Sequence, residues 1–142
     1  MSKFAKFMKA NKVKKENVKF AVTKSLLDEN GKPLEWEFRH VPTKEDREIR
    51  DDCTREVQIT GKFGAYREKF SSSEYVTKLV VASTVVPDLM DAELQDSYGV
   101  KTPEDLLMQL VDSAGEYAEL TRFVQELQGF EALQKKVDEA KN

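Results

Sequence analysis

The sequence predicts an α+β fold, in which an N-terminal β-hairpin or small antiparallel sheet with short helices is followed by a helical C-terminal part. Two runs of alternating apolar and polar residues flank the pair Asn30-Gly31, which is the pattern of a hairpin. Beyond residue 70, helix-start signals precede leucine-rich stretches. We therefore expect an N-terminal α+β unit over residues 1–70 and a helical unit over residues 71–142, or one core shared by both.

The composition suits one domain or two small units. Of the 142 residues, 39% are hydrophobic and 35% are charged. No run approaches the roughly 18–20 apolar residues of a membrane helix, and the N-terminus lacks the apolar stretch of a secretory signal. The single cysteine and single histidine exclude an internal disulfide and a Cys/His zinc cluster. We expect a protein of the reducing cytoplasm, without membrane, metal or cofactor.

Charge is unevenly distributed along the chain. Residues 1–86 carry 18 basic and 13 acidic side chains, whereas residues 87–142 carry 5 basic and 13 acidic ones. A lysine-rich N-terminus is compatible with nucleic-acid binding. A solvated basic face explains it better, because no arginine, the usual reader of phosphate and guanine, precedes Arg39.

The first ten residues predict a short amphipathic helix. Ser2 is a candidate cap, and Phe4, Phe7 and Met8 share one face. So short a helix is marginal alone, so its apolar face needs a partner. We expect that face to dock on the core of its own chain; the alternative is an arm that binds another protein.

The hairpin prediction depends on three neighbouring features. Residues 18–26 alternate apolar and polar, residues 28–32 supply turn chemistry, and Leu34, Trp36 and Phe38 form one apolar face of the second strand. The acidic turn lacks the spacing of a calcium loop. A charged helix should then begin with Thr43 as N-cap and reach about Asp52. An extended segment around residues 57–60, a glycine loop and a further strand over residues 65–70 follow.

The sequence predicts five helical segments in the second half. A serine cluster should cap a helix from residue 71 to about Val86, although its valines and threonines keep a buried strand open for residues 78–86. A short helix over residues 91–98 should end at Gly99. Thr102-Pro103 predicts the next helix start, and the capping-box pattern from Ser113 to Glu116 predicts another, which ends at Gly129. A last helical segment is expected over residues 130–140.

Nothing in the sequence indicates catalysis. His40 has no serine or cysteine partner in an identifiable motif. Cys53 ends a charged helix beside Asp51 and Asp52, whose carboxylates raise rather than lower a thiol pKa. The paired carboxylates occur in polar helices, where solvation is the default. We therefore predict a protein that is not an enzyme.

The order of three stretches resembles a known family. They are the opening from Met1 to Lys14, the hairpin from Asp28 to Glu37, and the stretch from Val86-Pro87 through Tyr98-Gly99 to the helices ending at Gly129-Phe130. Together they resemble the XkdN-like phage tail assembly chaperones of tailed phages and prophages of Gram-positive bacteria. The similarity spans nearly the whole chain, and its specificity comes from order and spacing.

This resemblance implies a chaperone of the host cytoplasm that binds and solubilises the tape measure protein and promotes tail tube assembly. It implies no enzyme activity and absence from the mature virion. Tail tube protein is a second implied partner, through a longer form made by a programmed ribosomal frameshift. Self-association on the client is compatible with such a role.

A chaperone for a helical client needs an apolar surface with a charged rim. The candidate client-binding residues are Leu89, Met90, Leu107, Met108 and Val111. The two methionines are the first choices because flexible thioethers adapt to varied partners. Two other functions stay open, namely a structural tail component of the virion and a nucleic-acid-binding regulator.

Overall fold

The computed structural model describes residues 2–130. In chain order, the strands are β1 (Val18–Ala21), β2 (Glu35–Phe38), β3 (Thr54–Gln58), β4 (Tyr66–Phe70) and β5 (Thr84–Val86). The helices are α1 (Thr43–Asp52), α2 (Ser72–Ser83), α3 (Ala92–Ser97), α4 (Pro103–Leu110) and α5 (Ala114–Leu127). Small antiparallel sheets are thus followed by packed helices, which confirms the predicted α+β class.

The predicted hairpin is confirmed as the antiparallel pair β1–β2, in which Phe20 lies opposite Trp36. Trp36 and Phe38 are buried while the intervening glutamate faces outward, because alternate strand residues point to opposite faces. The Asp28 carboxylate stabilises the turn by accepting hydrogen bonds from the backbone N–H groups of Asn30 and Lys32. Gly31 supplies the positive φ of 78° that this turn requires.

The helix expected to reach Val86 ends earlier, at Ser83. Residues Thr84–Val86 form strand β5 instead, which pairs antiparallel with β2 and completes a three-stranded sheet in the order β1-β2-β5. The helix prediction is therefore right for its first twelve residues and wrong for its last three. Branching at Cβ favours the strand there, and the free edge of β2 supplies the hydrogen-bond partners.

A second hairpin, β3–β4, stands apart from the three-stranded sheet. Thr54 lies opposite Phe70 and Gln58 lies opposite Tyr66, and all five residues of β4 are exposed. The glycine loop between the strands carries Phe63, whose side chain is fully exposed. The predicted loop and further strand are confirmed, and two strands alone bury little apolar surface.

Two of the predicted helix caps, Ser71 and Thr102, form as expected, and Asp91 caps α3 without having been predicted to do so. The side chains of Ser71, Asp91 and Thr102 accept hydrogen bonds from the backbone N–H groups three residues ahead. At α1 the N-cap position belongs to Pro42, so Thr43 is the first helical residue rather than the cap. Ser113 occupies the N-cap position of α5 without a side-chain cap hydrogen bond, so the capping-box prediction locates the helix but not its stabilising contacts.

The core draws on both halves of the chain. Its buried side chains include Trp36, Phe38 and Cys53 from the first predicted unit and members of α2, α4 and α5 from the second. Phe123 of α5 stacks on Phe20 with ring centroids 4.3 Å apart and meets Phe38 edge-on at 5.3 Å. These contacts favour the shared-core alternative, and the division at residue 70 remains a prediction about folding units.

The end of α5 is attached to the sheet by Gln128. Its side-chain oxygen accepts a hydrogen bond from the Val41 backbone N–H at 2.7 Å. Its amide nitrogen donates to the Arg39 carbonyl and to the hydroxyl of buried Ser83, both at 3.2 Å. One side chain therefore joins the ends of β2, α2 and α5. The last predicted helix, residues 130–140, lies outside the described residues except for Phe130.

The N-terminal arm, which we define as residues 2–16, does not form the expected helix. It contains two 3₁₀ turns, Ala5–Phe7 and Lys9–Asn11, and no residue of either turn is buried. Phe4, Phe7 and Met8 are 61%, 85% and 51% exposed, so the prediction that they dock on the core is wrong. Turns of three residues do not align these side chains into the continuous stripe that docking requires.

Candidate functional site

A shallow groove with apolar side chains in its floor lies between α2, α4 and α5. Two adjoining depressions, of about 470 Å³ and about 460 Å³, share Ser73 and Thr77. We call the whole surface the α2 groove. It is lined by Ser72, Ser73, Glu74, Val76, Thr77, Lys78, Glu104, Met108, Tyr117, Thr121 and Gln125.

The groove is positioned by the start of α2. Ser71 caps that helix, so Val76 and Thr77 fall on its surface towards α5 while Leu79 and Val80 enter the core. The hydroxyl groups of Thr77 and Tyr117 lie 2.8 Å apart and form a hydrogen bond between α2 and α5. The floor is therefore held by a polar contact between two helices rather than by apolar packing alone.

The five predicted client-binding residues separate into two groups. Leu89, Leu107 and Val111 are buried in the core. Met108 is 41% exposed and lines the α2 groove, whereas Met90 is 68% exposed on the connection after β5 and lines no described cavity. The structure thus does not bring all five together, and the three buried residues are part of the core beneath the exposed methionines.

The chemistry of the groove suits an apolar stripe on a helix. Val76 and Tyr117 offer half-buried apolar surface, and the Met108 thioether adapts its shape to the side chain that it meets. Glu74, Lys78 and Glu104 supply a charged rim. Such a surface binds apolar side chains without requiring one fixed geometry.

The client-binding residues predicted from the sequence include Met108 but not Val76 and Tyr117. Both of these side chains border the core cluster. Their sequence signal is the same as that of a core residue, because a half-buried side chain at the edge of a helix face keeps the helical period. Only the separation of α2 from α5 at this point exposes them.

A larger depression of about 690 Å³ lies over the outer face of the three-stranded sheet. Charged side chains dominate its lining, including Lys19, Asp28, Lys32, Glu35 and Glu37. Among residues 2–130, no group of three or more His, Cys, Asp or Glu side chains is arranged to hold a metal ion. This depression is therefore an open polar surface of mixed charge, and we do not assign it a ligand.

A cluster of hydrogen-bonded titratable groups joins α1 to α2. Arg50 donates to the Asp46 carboxylate at 2.9 Å and to the Tyr75 hydroxyl at 3.1 Å, and the Tyr75 hydroxyl donates to Asp46. Burial, followed by the contact with Asp46, raises the pKa of Tyr75 to about 12. The Arg50 guanidinium also lies over the rings of Tyr75, Phe70 and Phe130. This cluster anchors the base of the β3–β4 hairpin.

Cys53 is placed as a structural thiol. Its side chain is buried in the core, and burial, reinforced by Glu74, raises its pKa. A raised thiol pKa lowers the fraction of nucleophilic thiolate at neutral pH. The Cys53 carbonyl also accepts a hydrogen bond from the Ser71 backbone N–H at 2.9 Å, which joins the end of α1 to the start of α2.

Comparisons with known proteins relate the chain to XkdN and similar phage proteins. The family model described as Phage XkdN-like tail assembly chaperone protein matches residues 4–141. The Phage-like element PBSX protein XkdN of Bacillus subtilis (strain 168) is 24% identical over 137 residues, covering 96% of this chain and 91% of that protein. The uncharacterized protein YqbN of the same strain is 24% identical over 125 residues, covering 88% and 83%.

A solved structure supports the fold. The crystal structure of the protein YqbN aligns with a TM-score of 0.74 and 20% sequence identity, covering 91% of this chain and 98% of that chain. The arrangement of strands and helices described above is therefore shared with an experimentally determined structure. Within residues 2–130, no helix has the length and apolar character to cross a membrane.

Proposed function

The chain belongs to the phage XkdN-like tail assembly chaperone family, and from this membership we propose that it binds the tape measure protein, keeps it soluble and promotes assembly of the tail tube. The family is one of assembly chaperones and not of enzymes. A tape measure protein is a long helical chain with apolar stripes, so its chaperone needs a surface that accepts such stripes.

The observation that carries the proposal is the position of Met108 in the α2 groove. Its neighbours Leu106 and Leu107 are fully buried, whereas Met108 faces outward over a floor that also contains Val76 and Tyr117. An exposed apolar side chain in a groove with a charged rim is a typical contact for an amphipathic helix. We assign Met108 as the central client contact and exposed Met90 as a second, separate one.

The proposed chaperone role also implies where the chain acts and which second partner it has. We propose that the chain acts in the host bacterial cytoplasm, that it leaves before the tail is complete, and that tail tube protein is its second partner. A longer frameshifted form is the proposed means of recruiting tube protein. These proposals rest on family membership, whereas the α2 groove is the surface of this chain that supports them.

The test is co-expression of the chain with the tape measure protein. The soluble fraction of the tape measure protein is then measured, and a pull-down shows whether the two proteins bind. The wild-type chain should solubilise the tape measure protein and co-purify with it. Met108→Asp should weaken binding about tenfold or more, because a central apolar contact typically contributes more than about 1.4 kcal/mol. Met90→Asp should show whether the second contact belongs to the same interface.

Gln109→Asp is the matched control. Gln109 is exposed on the same helix, one residue further, and does not line the α2 groove. Its substitution introduces the same charge and should leave binding unchanged. If the tape measure protein stays insoluble with the wild-type chain, and the chain is found instead in purified tails, the structural tail component replaces the chaperone as the function.

A further inference from the structure

We infer that the α2 groove of one molecule is occupied, before a client arrives, by the N-terminal arm of a second copy of this chain. The inference deepens the proposed function, because it assigns a second occupant to the groove proposed for the client. Three observations support it: the arm is uncovered, it carries both apolar and basic side chains, and the helices beside the groove are acidic.

The arm contacts itself rather than its own groove. Among the described residues, its hydrogen bonds all run within the arm, as from the Asn11 side chain to the Ala5 carbonyl at 2.7 Å. Phe4 and Phe7 contact each other with ring centroids 6.2 Å apart, the Lys3 ammonium lies 5.9 Å from the Phe4 ring centroid, and both rings are largely exposed. The α2 groove and the apolar side chains of the N-terminal arm are therefore both exposed and do not contact each other within one molecule.

The charges of the two partners are complementary. Residues 2–16 contain six lysines and one glutamate, a net charge of +5, whereas residues 103–127 of α4 and α5 contain six acids and one arginine, a net charge of −5. Residues 17–87 contain twelve basic and twelve acidic side chains and are neutral. Of the acids on α4 and α5, Glu104 lines the α2 groove, where Glu74 and Lys78 also lie. The opposite net charges of the two segments therefore attract the arm of one molecule to the helices of another at long range, and Glu104 is the acid of α4 that the arm meets in the groove.

The apolar side chains of the arm are also complementary to the groove. Glu104 lies one helical turn before Met108, on the same face of α4. An arm with Phe4, Phe7 and Met8 between lysines can place an aromatic ring on Met108 while a lysine reaches Glu104. Methionine and aromatic side chains form favourable contacts, and the thioether adapts to the ring.

A contact between two different surfaces is heterologous. It closes into a dimer or ring, or it continues as an open chain of molecules. A closed form covers the apolar groove of every molecule, whereas an open chain leaves the groove of one terminal molecule uncovered. A helical client with a longer apolar stripe than the arm displaces the arm and takes its place in the groove.

The experiment uses the full chain without any client, so its outcome is independent of client binding. Analytical ultracentrifugation measures the mass of the protein at about 20 mM and about 500 mM salt. Electrostatic attraction between molecules is weakly screened at the lower concentration and strongly screened at the higher one. We expect a mass above the monomer at low salt and the monomer at high salt. Lys6→Glu with Lys9→Glu should weaken association about tenfold, since exposed ion pairs contribute modestly and add. The control is Lys44→Glu with Arg47→Glu, which reverses two exposed charges on α1. It should leave the association unchanged.

Disulfide trapping identifies the two surfaces. One preparation carries Ala10→Cys in the arm and a second carries Thr121→Cys in the groove, while native Cys53 is buried and poorly reactive. Mixing and oxidation should give a cross-linked heterodimer at low salt. Phe63→Cys, at the fully exposed tip of the β3–β4 hairpin, replaces the groove cysteine in the control and should cross-link severalfold less.

Three results overturn the inference. A monomer at low salt shows that the arm has no partner copy. Equal cross-linking to the groove and to the hairpin tip shows that the contact is unspecific. A disulfide within one chain carrying both Ala10→Cys and Thr121→Cys, without cross-links between chains, shows that the arm covers its own groove. Client binding that survives any of these results leaves the proposed function standing.

Discussion

Glu116, in the first turn of α5, accepts a hydrogen bond from the Thr23 hydroxyl at 2.7 Å and another from the Lys24 backbone N–H at 2.8 Å. A glutamate at this position of a capping-box pattern normally accepts from the N-cap backbone. Here it joins the start of α5 to the segment after β1, more than 90 residues away. The contact therefore stabilises tertiary structure rather than the helix end alone.

The Glu116 contact predicts a pH-dependent stability. The hydrogen bonds from Thr23 and Lys24 lower the pKa of Glu116 below its ordinary value of 4.5. Because the folded-state pKa is depressed, the stabilisation is fully present above pH 4.5 and is lost as the pH falls through the folded-state value. Glu116→Gln should be less stable than wild type at pH 7, and the difference should shrink in acid. Urea unfolding at several pH values measures this.

Glu119→Gln is the control for that experiment. Glu119 is exposed on the same helix and makes one long ion pair with Arg122 at 3.8 Å. Its replacement should change stability little and without the same pH dependence. A constant difference between wild type and Glu116→Gln from pH 7 into acid would contradict the assignment.

Gln128 should be important for stability although it lies near the end of the described chain. Gln128→Ala removes the acceptor of the Val41 N–H and the donor to Arg39 and Ser83. Leaving such groups without partners costs about 1–3 kcal/mol of unfolding free energy. Urea unfolding should show this loss, whereas Gln109→Ala, on an exposed face of α4, should stay within about 0.5 kcal/mol of wild type.

Tyr75 predicts a loss of stability in alkali. Its folded-state pKa of about 12 exceeds its ordinary value of 10, so its stabilisation is present below pH 10 and is lost as the pH rises towards 12. Tyr75→Phe removes this titration, so its unfolding free energy should fall less steeply than that of wild type over this range. Tyr66→Phe, exposed on β4, should follow the wild-type curve. Identical alkaline slopes for wild type and Tyr75→Phe would contradict the buried position of the hydroxyl.

The shared core predicts one cooperative unfolding transition. Trp36, the single tryptophan, reports on the sheet by fluorescence, and far-ultraviolet circular dichroism reports on the helices. Because Phe123 of α5 packs on Phe20 and Phe38, the two signals should change at the same urea concentration. Separate midpoints would instead support two folding units divided near residue 70.

The candidate site was only partly predictable. Met108 was identified from the flexibility of its thioether, but the same sequence pattern also selected Leu107 and Val111, which are buried. An apolar residue at helical spacing packs equally well against its own core or against a partner. The choice between those two roles depends on where neighbouring helices lie, and that information is absent from a local pattern.

Local residue patterns were enough to predict the turn at Asp28–Gly31, the alternation that buries Trp36 and Phe38, and the caps at Ser71 and Thr102. Each of these depends on residues a few positions apart, whose geometry is set by the helix or strand period. Three features were decided only by the tertiary structure: strand β5, the Glu116 contact with Thr23, and the open groove around Met108. Each depends on a partner brought close by packing, because hydrogen bonds between distant segments form only when the core places those segments together.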